Sequence, residues 1–185
     1  MDERLAKYIE SIRTICSKPL SPRTQLDQIR QAAVVLAAEP VKLDESLRFA
    51  PEGGYGRNLI LKDPAYGFCV VAMIWPPNSG GLPHDHGTWG VSAVTEGNIR
   101  ITDFEREDDG SDPDHAVITP KCTIDAGPGA VATVLPPHND CHQVSNVSKT
   151  ELAVSIHTYG KSITACNVFD PDRNSCEVLH PVYTN

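Results

Sequence analysis

Two histidines one residue apart, His84 and His86, lie in Pro83-His84-Asp85-His86-Gly87-Thr88-Trp89-Gly90, between apolar, β-branched stretches at 68–75 and 91–95. Side chains at i and i+2 of an extended chain share a face, so two imidazoles there can approach one metal ion together. On its own such a pair is more often an ordinary surface or core feature, and a metal site needs a third ligand. His142, in Pro136-Pro137-His138-Asn139-Asp140-Cys141-His142, is the candidate. A second group is Ser155-Ile156-His157-Thr158-Tyr159, which sets three polar side chains on one face and turns Ile156 and Thr158 to the other. Burying three polar groups in file is costly unless they bond to one another, and hydroxyl, imidazole and phenol can form such a relay. The short connection from His142 to this segment predicts that the two strands are neighbours facing one cavity.

The elements that must position these groups follow from patterning. Leu5, Ile9, Ile12 and Cys16 recur at helical spacing, predicting a helix over 3–16 that Lys18-Pro19 ends. Ser21 as N-cap and Pro22 at the first helical position open a second helix, with Leu26, Ile29, Ala33 and Leu36 as its buried stripe, until Glu39-Pro40. Both are expected to pack on the outside of the domain. From about residue 44 short β-rich runs alternate with Gly, Pro, Asn and Asp: 57–62, 67–75, 89–96, 98–105, 130–135, 142–147 and 151–158. This pattern predicts an all-β sandwich or barrel. The organisation expected is one domain over 1–185, with a helical segment at 1–40, a barrel at 44–170 and an extended segment at 171–185 lying against it. Asp108 to Asp114 reads as a solvated acidic loop.

Composition narrows the function classes. The 185 residues carry a formal charge of -8, which argues against nucleic-acid and anionic-membrane surfaces. No apolar run approaches the roughly 20 residues of a membrane span, and Met1-Asp2-Glu3-Arg4 is not an apolar signal segment. A cytoplasmic protein, monomeric or a small homo-oligomer, is expected. The six cysteines are scattered without a Cys-x-x-Cys pair, so they read as small buried hydrophobes rather than a disulfide framework. Cys141 stands out only by adjoining His142.

The two histidine-bearing stretches share an anatomy of glycine, proline, histidine and strand, and together they resemble the two cupin motifs. That resemblance implies a mainly β, double-stranded β-helix (jelly-roll) barrel, here with two N-terminal α-helices. His142 with Asn146 fits the second motif, while Asn139 departs from its usual glycine. Cupins commonly add a glutamate to the first motif. Counting seven back from Gly97, that slot holds Gly90. Three neutral imidazoles leave about half of an octahedral sphere open, an arrangement for reactivity rather than for bracing the fold.

A three-histidine cupin without its glutamate, joined to a Ser-His-Tyr file, resembles the cysteine dioxygenase and bacterial thiol dioxygenase family, over about Tyr55 to Tyr159. The resemblance implies mononuclear non-haem Fe(II) held by His84, His86 and His142, which binds a small thiol and O2 and delivers both oxygen atoms to sulfur as a sulfinate. It makes Ser155, His157 and Tyr159 the catalytic outer-sphere triad. A neutral ligand set leaves the ion its full charge, which favours thiolate. In mammalian members a cysteine is cross-linked to the tyrosine; Gly90 holds that slot, so Tyr159 is expected to be unmodified. Tyr55-Gly56-Arg57-Asn58 resembles the segment whose arginine binds the substrate carboxylate, a role for which a planar guanidinium is suited. The 3-mercaptopropionate enzymes carry glutamine there and an arginine nine residues past the triad tyrosine, where this chain has Val168. The chain therefore reads as Arg-type, with L-cysteine as leading substrate and Arg57, Tyr55 and Trp89 as substrate-binding residues, Trp89 walling the cavity. The alternatives that stay open are 3-mercaptopropionate, mercaptosuccinate if Arg100 or Arg106 reaches the pocket, and a non-enzymatic metal- or ligand-binding cupin.

Overall fold

The computed structural model describes residues 1–137 and 140–185; His138 and Asn139, the second of which falls in the second histidine motif, lie outside the described residues. Two helices precede a β structure of ten strands among the described residues: α1 (Glu3–Cys16), α2 (Pro22–Ala37), β1 (Gly56–Lys62), β2 (Cys69–Trp75), β3 (Gly90–Glu96), β4 (Ile99–Arg106), β5 (Ile118–Ala126), β6 (Val131–Val134), β7 (His142–Ser145), β8 (Ala153–Tyr159), β9 (Cys166–Asp170) and β10 (Ser175–Leu179). Asp2 caps α1 by accepting from the backbone N–H groups of Arg4 and Leu5, at 2.8 and 3.2 Å. Ser21 caps α2 with Pro22 in its first turn, as expected. No helix is long and apolar enough to cross a membrane among the described residues.

The strands form a five-stranded antiparallel sheet in the order β1-β2-β8-β3-β6, facing a three-stranded sheet β5-β4-β7, with β9 and β10 as a hairpin. Facing sheets that close around an interior make the double-stranded β-helix of a cupin. β2 shows why the five-stranded sheet is apolar throughout. Val70, Ala72 and Ile74 point outward into one core with Leu5, Ile9, Ile12, Ile29 and Ala33 of the helices. Cys69, Val71, Met73 and Trp75 point inward with Ile99, Ile101 and Val144 of the opposite sheet. A strand covered on both faces has no solvent side on which to place polar residues. The Tyr8 hydroxyl of α1 meets the Thr158 hydroxyl of β8 at 2.8 Å, so even the polar residue of that outer face is paired.

The structure departs from the sequence reading in the pairing of β7 with β8 and in three strands, β5, β9 and β10, that the expected runs do not include. β7 and β8 are not neighbours: β7 pairs with β4 in one sheet, and β8 lies between β2 and β3 in the other. They face each other across the interior, so the cavity is shared although the pairing is not. The turn between them is fixed by Asn146, 2% exposed, whose Nδ2 donates to the carbonyls of Trp75 and Glu151, both at 2.8 Å. β5 was not anticipated, because its residues from Thr119 to Asp125 are exposed and include Pro120, giving no alternation of burial. The segment expected to be merely extended contains β10, paired with β9.

Candidate metal centre and its cavity

His84, His86 and His142 converge, with one ligand nitrogen from each lying within 4.8 Å of the others. His84 sits in an extended connection rather than a regular strand. Its N–H donates to the His142 carbonyl at 2.9 Å, and the His142 N–H returns the bond to His84 at 3.0 Å. Asp85 points the other way, as alternation requires, and accepts from the N–H and side-chain amide of Asn167 on β9 at 2.8 and 2.6 Å. The His-x-His segment is therefore held between β7 and β9.

The ring tautomers follow from the outer bonds. His84 Nδ1 is 3.0 Å from the Leu82 carbonyl and His86 Nδ1 is 3.0 Å from Asp140 Oδ1. Both acceptors take a proton from Nδ1, which leaves the lone pair on Nε2. The His86 Nε2 atom is buried without a hydrogen-bond partner among the described residues, and a metal ion would occupy its lone pair. Burial is the first cause that holds His142 well below the usual imidazole range and lowers His84 to about 4, with neighbouring imidazoles adding to it. Three converging imidazole nitrogen donors, those of His86 and His142 buried and that of His84 half-buried, fit a divalent cation, and their all-imidazole chemistry suits iron without selecting it over nickel, cobalt, manganese or zinc. Asp140 also accepts from the backbone N–H groups of His86 and Gly87, at 3.1 and 2.9 Å. Sequence reasoning missed it, although a carboxylate two residues before a proposed ligand was a visible signal.

Ser155, His157 and Tyr159 form the expected file on β8. Ser155 Oγ lies 2.8 Å from His157 Nε2, and His157 Nδ1 lies 2.9 Å from the Tyr159 hydroxyl. Trp75, unanticipated, extends it by donating from Nε1 to Ser155 Oγ at 2.9 Å. Ser155 keeps its own proton, and His157 Nε2 is the only acceptor in reach of that hydroxyl among the described residues, so Ser155 donates to Nε2 of His157. The imidazole, which burial first of all lowers to about 3, is then neutral and donates from Nδ1 to the Tyr159 oxygen. The Tyr159 proton is left free to point elsewhere. Burial also raises the Tyr159 phenol, so it stays protonated, and its ring stacks on His86 at 5.5 Å between centroids.

The three histidines, His157 and Tyr159 open onto a cavity of about 390 Å³ that Tyr55, Arg57 and Trp75 also line. Tyr55 stacks on Trp75 at 4.8 Å. Arg57 is 8% exposed, its Nη2 reaches the Ile163 carbonyl at 3.5 Å, and its Nη1 is buried without a partner among the described residues. A buried guanidinium donor at a cavity has the chemistry to receive an anion.

Trp89 does not line this cavity. It packs with the outer core beneath the helices, because Gly90 is turned inward and the residue before it must turn outward. Arg100 pairs with Asp125 at 2.7 Å and Arg106 with Asp108 at 2.8 Å, and neither reaches the cavity. Parity explains Arg100: its neighbours Ile99 and Ile101 hold the inward positions of β4.

A family model described as cysteine dioxygenase type I matches residues 16–172. Cysteine dioxygenase type 1 of Rattus norvegicus and that of Mus musculus are each 28% identical to this chain over 172 residues, covering 82% of it and 81% of the relative. Among solved structures, an oxalate oxidase is similar with a TM-score of 0.48 and 17% identity, over 70% of this chain and 63% of that one. The cupin domain of Schizosaccharomyces pombe Cnp3 gives 0.45 and 13%, over 66% and 70%. With its family match spanning most of the barrel, the chain belongs to the cysteine dioxygenase type I family of thiol dioxygenases.

Proposed function

We propose that this enzyme converts a small carboxylate-bearing thiol and O2 to the sulfinate, R–SH + O2 → R–SO2H, with L-cysteine as the leading substrate. The observation that carries the choice of substrate is Arg57, whose unpartnered Nη1 shares one cavity with the three histidines. Iron(II) held by His84, His86 and His142 would supply Lewis acidity toward thiolate and the redox chemistry that dioxygen requires.

The remaining roles belong to side chains. Arg57 receives the carboxylate and so sets how far the sulfur extends toward the histidines. Tyr55, whose phenol burial raises, keeps its proton and offers a second donor beside Arg57. Tyr159 presents the one proton that the file on β8 leaves unassigned, and offers it to negative charge developing on oxygen or sulfur. Trp75 and Ser155 hold His157 in the tautomer that makes this possible. No second cation lines the cavity among the described residues, which favours a monocarboxylate over mercaptosuccinate.

The test is O2 uptake by the Fe(II)-loaded protein with L-cysteine, 3-mercaptopropionate, mercaptosuccinate and cysteamine, each run matched by sulfinate analysis. Cysteine should lead and cysteamine should trail. Mercaptosuccinate in first place would require a second cation, which the cavity does not hold among the described residues. No uptake from any thiol, with iron bound, would leave a metal-binding cupin without this activity.

A further inference from the structure

Arg57 lies on β1, an edge strand with β2 on one side. Its other side is covered by the segment 183–185. The Arg57 N–H donates to Thr184 Oγ1 at 3.0 Å, the Thr184 N–H donates to the Arg57 carbonyl at 2.9 Å, and Thr184 Oγ1 donates to Asn58 Oδ1 at 2.9 Å. Asn185 continues the pairing with both backbone groups of Leu59, at 2.8 and 3.1 Å. These bonds place the Tyr183 ring 4.5 Å from the Arg57 guanidinium carbon.

The guanidinium needs support from somewhere. Arg57 forms no ion pair among the described residues, and its one side-chain hydrogen bond is the 3.5 Å contact to Ile163. A long, flexible side chain held so loosely would lose its aim when a carboxylate binds. An aromatic face over a desolvated guanidinium restricts it while leaving all its donors available. Tyr183 does not line the cavity, whereas Arg57 does, and among the described residues the Tyr183 hydroxyl, which lies beside Ser162 and Cys69, has no partner at hydrogen-bond geometry. Its ring also packs against the inner core cluster that holds Cys69 and Ile163, so the face over Arg57 is what it contributes to the cavity.

We infer that Tyr183 is a positioning residue for substrate recognition: its ring, anchored by Thr184 and Asn185 along β1, holds the Arg57 guanidinium in the orientation that receives the carboxylate. The inference rests on the role of Arg57 given above. It assigns part of the substrate specificity to a segment distant in sequence from the histidines and from the Ser-His-Tyr file.

The experiment compares Tyr183→Leu, Tyr183→Phe and Arg57→Ala in the iron-loaded enzyme, with L-cysteine and with cysteamine, which lacks the carboxylate. Anaerobic calorimetric titration with L-cysteine gives binding without turnover. Tyr183→Leu should weaken cysteine binding and raise its KM about tenfold, with kcat within about twofold and cysteamine kinetics unchanged. Tyr183→Phe should recover most of the loss. A series of fluorinated phenylalanines at 183 keeps the shape while draining charge from the ring face, so the cysteine KM should climb with each fluorine. A flat series, or equal losses for the two thiols in Tyr183→Leu, would overturn the inference. If Arg57→Ala leaves the cysteine KM unchanged, the carboxylate clamp itself is wrong. If Arg57→Ala raises it and the Tyr183 variants do not, only the role of Tyr183 falls.

Discussion

Gly90 and Tyr159 are directly paired across β3 and β8, and a Cβ on Gly90 would stand 3.0 Å from Tyr159 Cδ1 and 2.9 Å from Val134 Cγ2. The slot that carries a glutamate ligand in many cupins is therefore filled here by the tyrosine ring. Hydrogen in place of a side chain lets that ring stack on His86.

Gly90→Ala tests this packing. The methyl group has a packed valine on one side and a stacked ring on the other, so relief must come from moving Tyr159. We expect a loss of about 1–3 kcal/mol in unfolding free energy and slower turnover with iron retained. Denaturant melts and metal analysis of one sample would check both. An unperturbed enzyme would mean that the ring yields freely.

Asp140 should matter for metal retention without touching the metal. It fixes the His86 tautomer and also holds the backbone at His86 and Gly87. Asp140→Ala is expected to lower metal affinity by about 10- to 100-fold, with Asp140→Asn milder because its amide oxygen still accepts. Competition against a chelator measures this, and equal affinities in both variants and the parent would reduce Asp140 to a loop brace.

Tyr159→Phe removes the free proton together with the oxygen that accepts from His157 Nδ1. The ring still stacks on His86, so iron content and cysteine KM should hold. Turnover should fall by roughly 10- to 100-fold, the equivalent of one hydrogen bond to a charged group. A raised KM with unchanged kcat would place the hydroxyl in substrate binding instead.

Acid stability should depend on Asp63, which is 2% exposed and joins α1 to the β1–β2 turn. It accepts from Arg13 Nε at 2.8 Å and from the N–H groups of Ala65 and Tyr66. The Arg13 bond, first among the causes, holds the carboxyl below the usual range. A depressed carboxyl stabilises the fold above its unfolded value near about 3.9 and loses that contribution as pH falls through the lower folded value. Melting temperature should therefore drop more steeply below about pH 4 in the parent than in Asp63→Asn, where this titration is gone. Parallel acid limbs would contradict the linkage.

Much of the site was legible because its information is local. Alternation along an extended chain places Ser155, His157 and Tyr159 on one face whatever lies beside them, and their relay formed as read. The helix stripes and the caps at Ser21 and Pro22 are equally local. Trp89 marks where the same rule was available but not applied: Gly90 turns inward, so its neighbour turns out.

The amino-acid sequence by itself determined which side chains can do chemistry and which of them share a strand face, since both depend on residue type and a two-residue period. Only the tertiary structure decided which strands meet. That β7 faces β8 instead of pairing with it, that β9 braces Asp85, and that Asp140 reaches His86 are outcomes of long-range pairing that no local pattern encodes. The same holds for Arg57: its residue type suits an anion, but the ring that packs over it stands at Tyr183, brought there by hydrogen bonds from Thr184 to an edge strand far away in the chain.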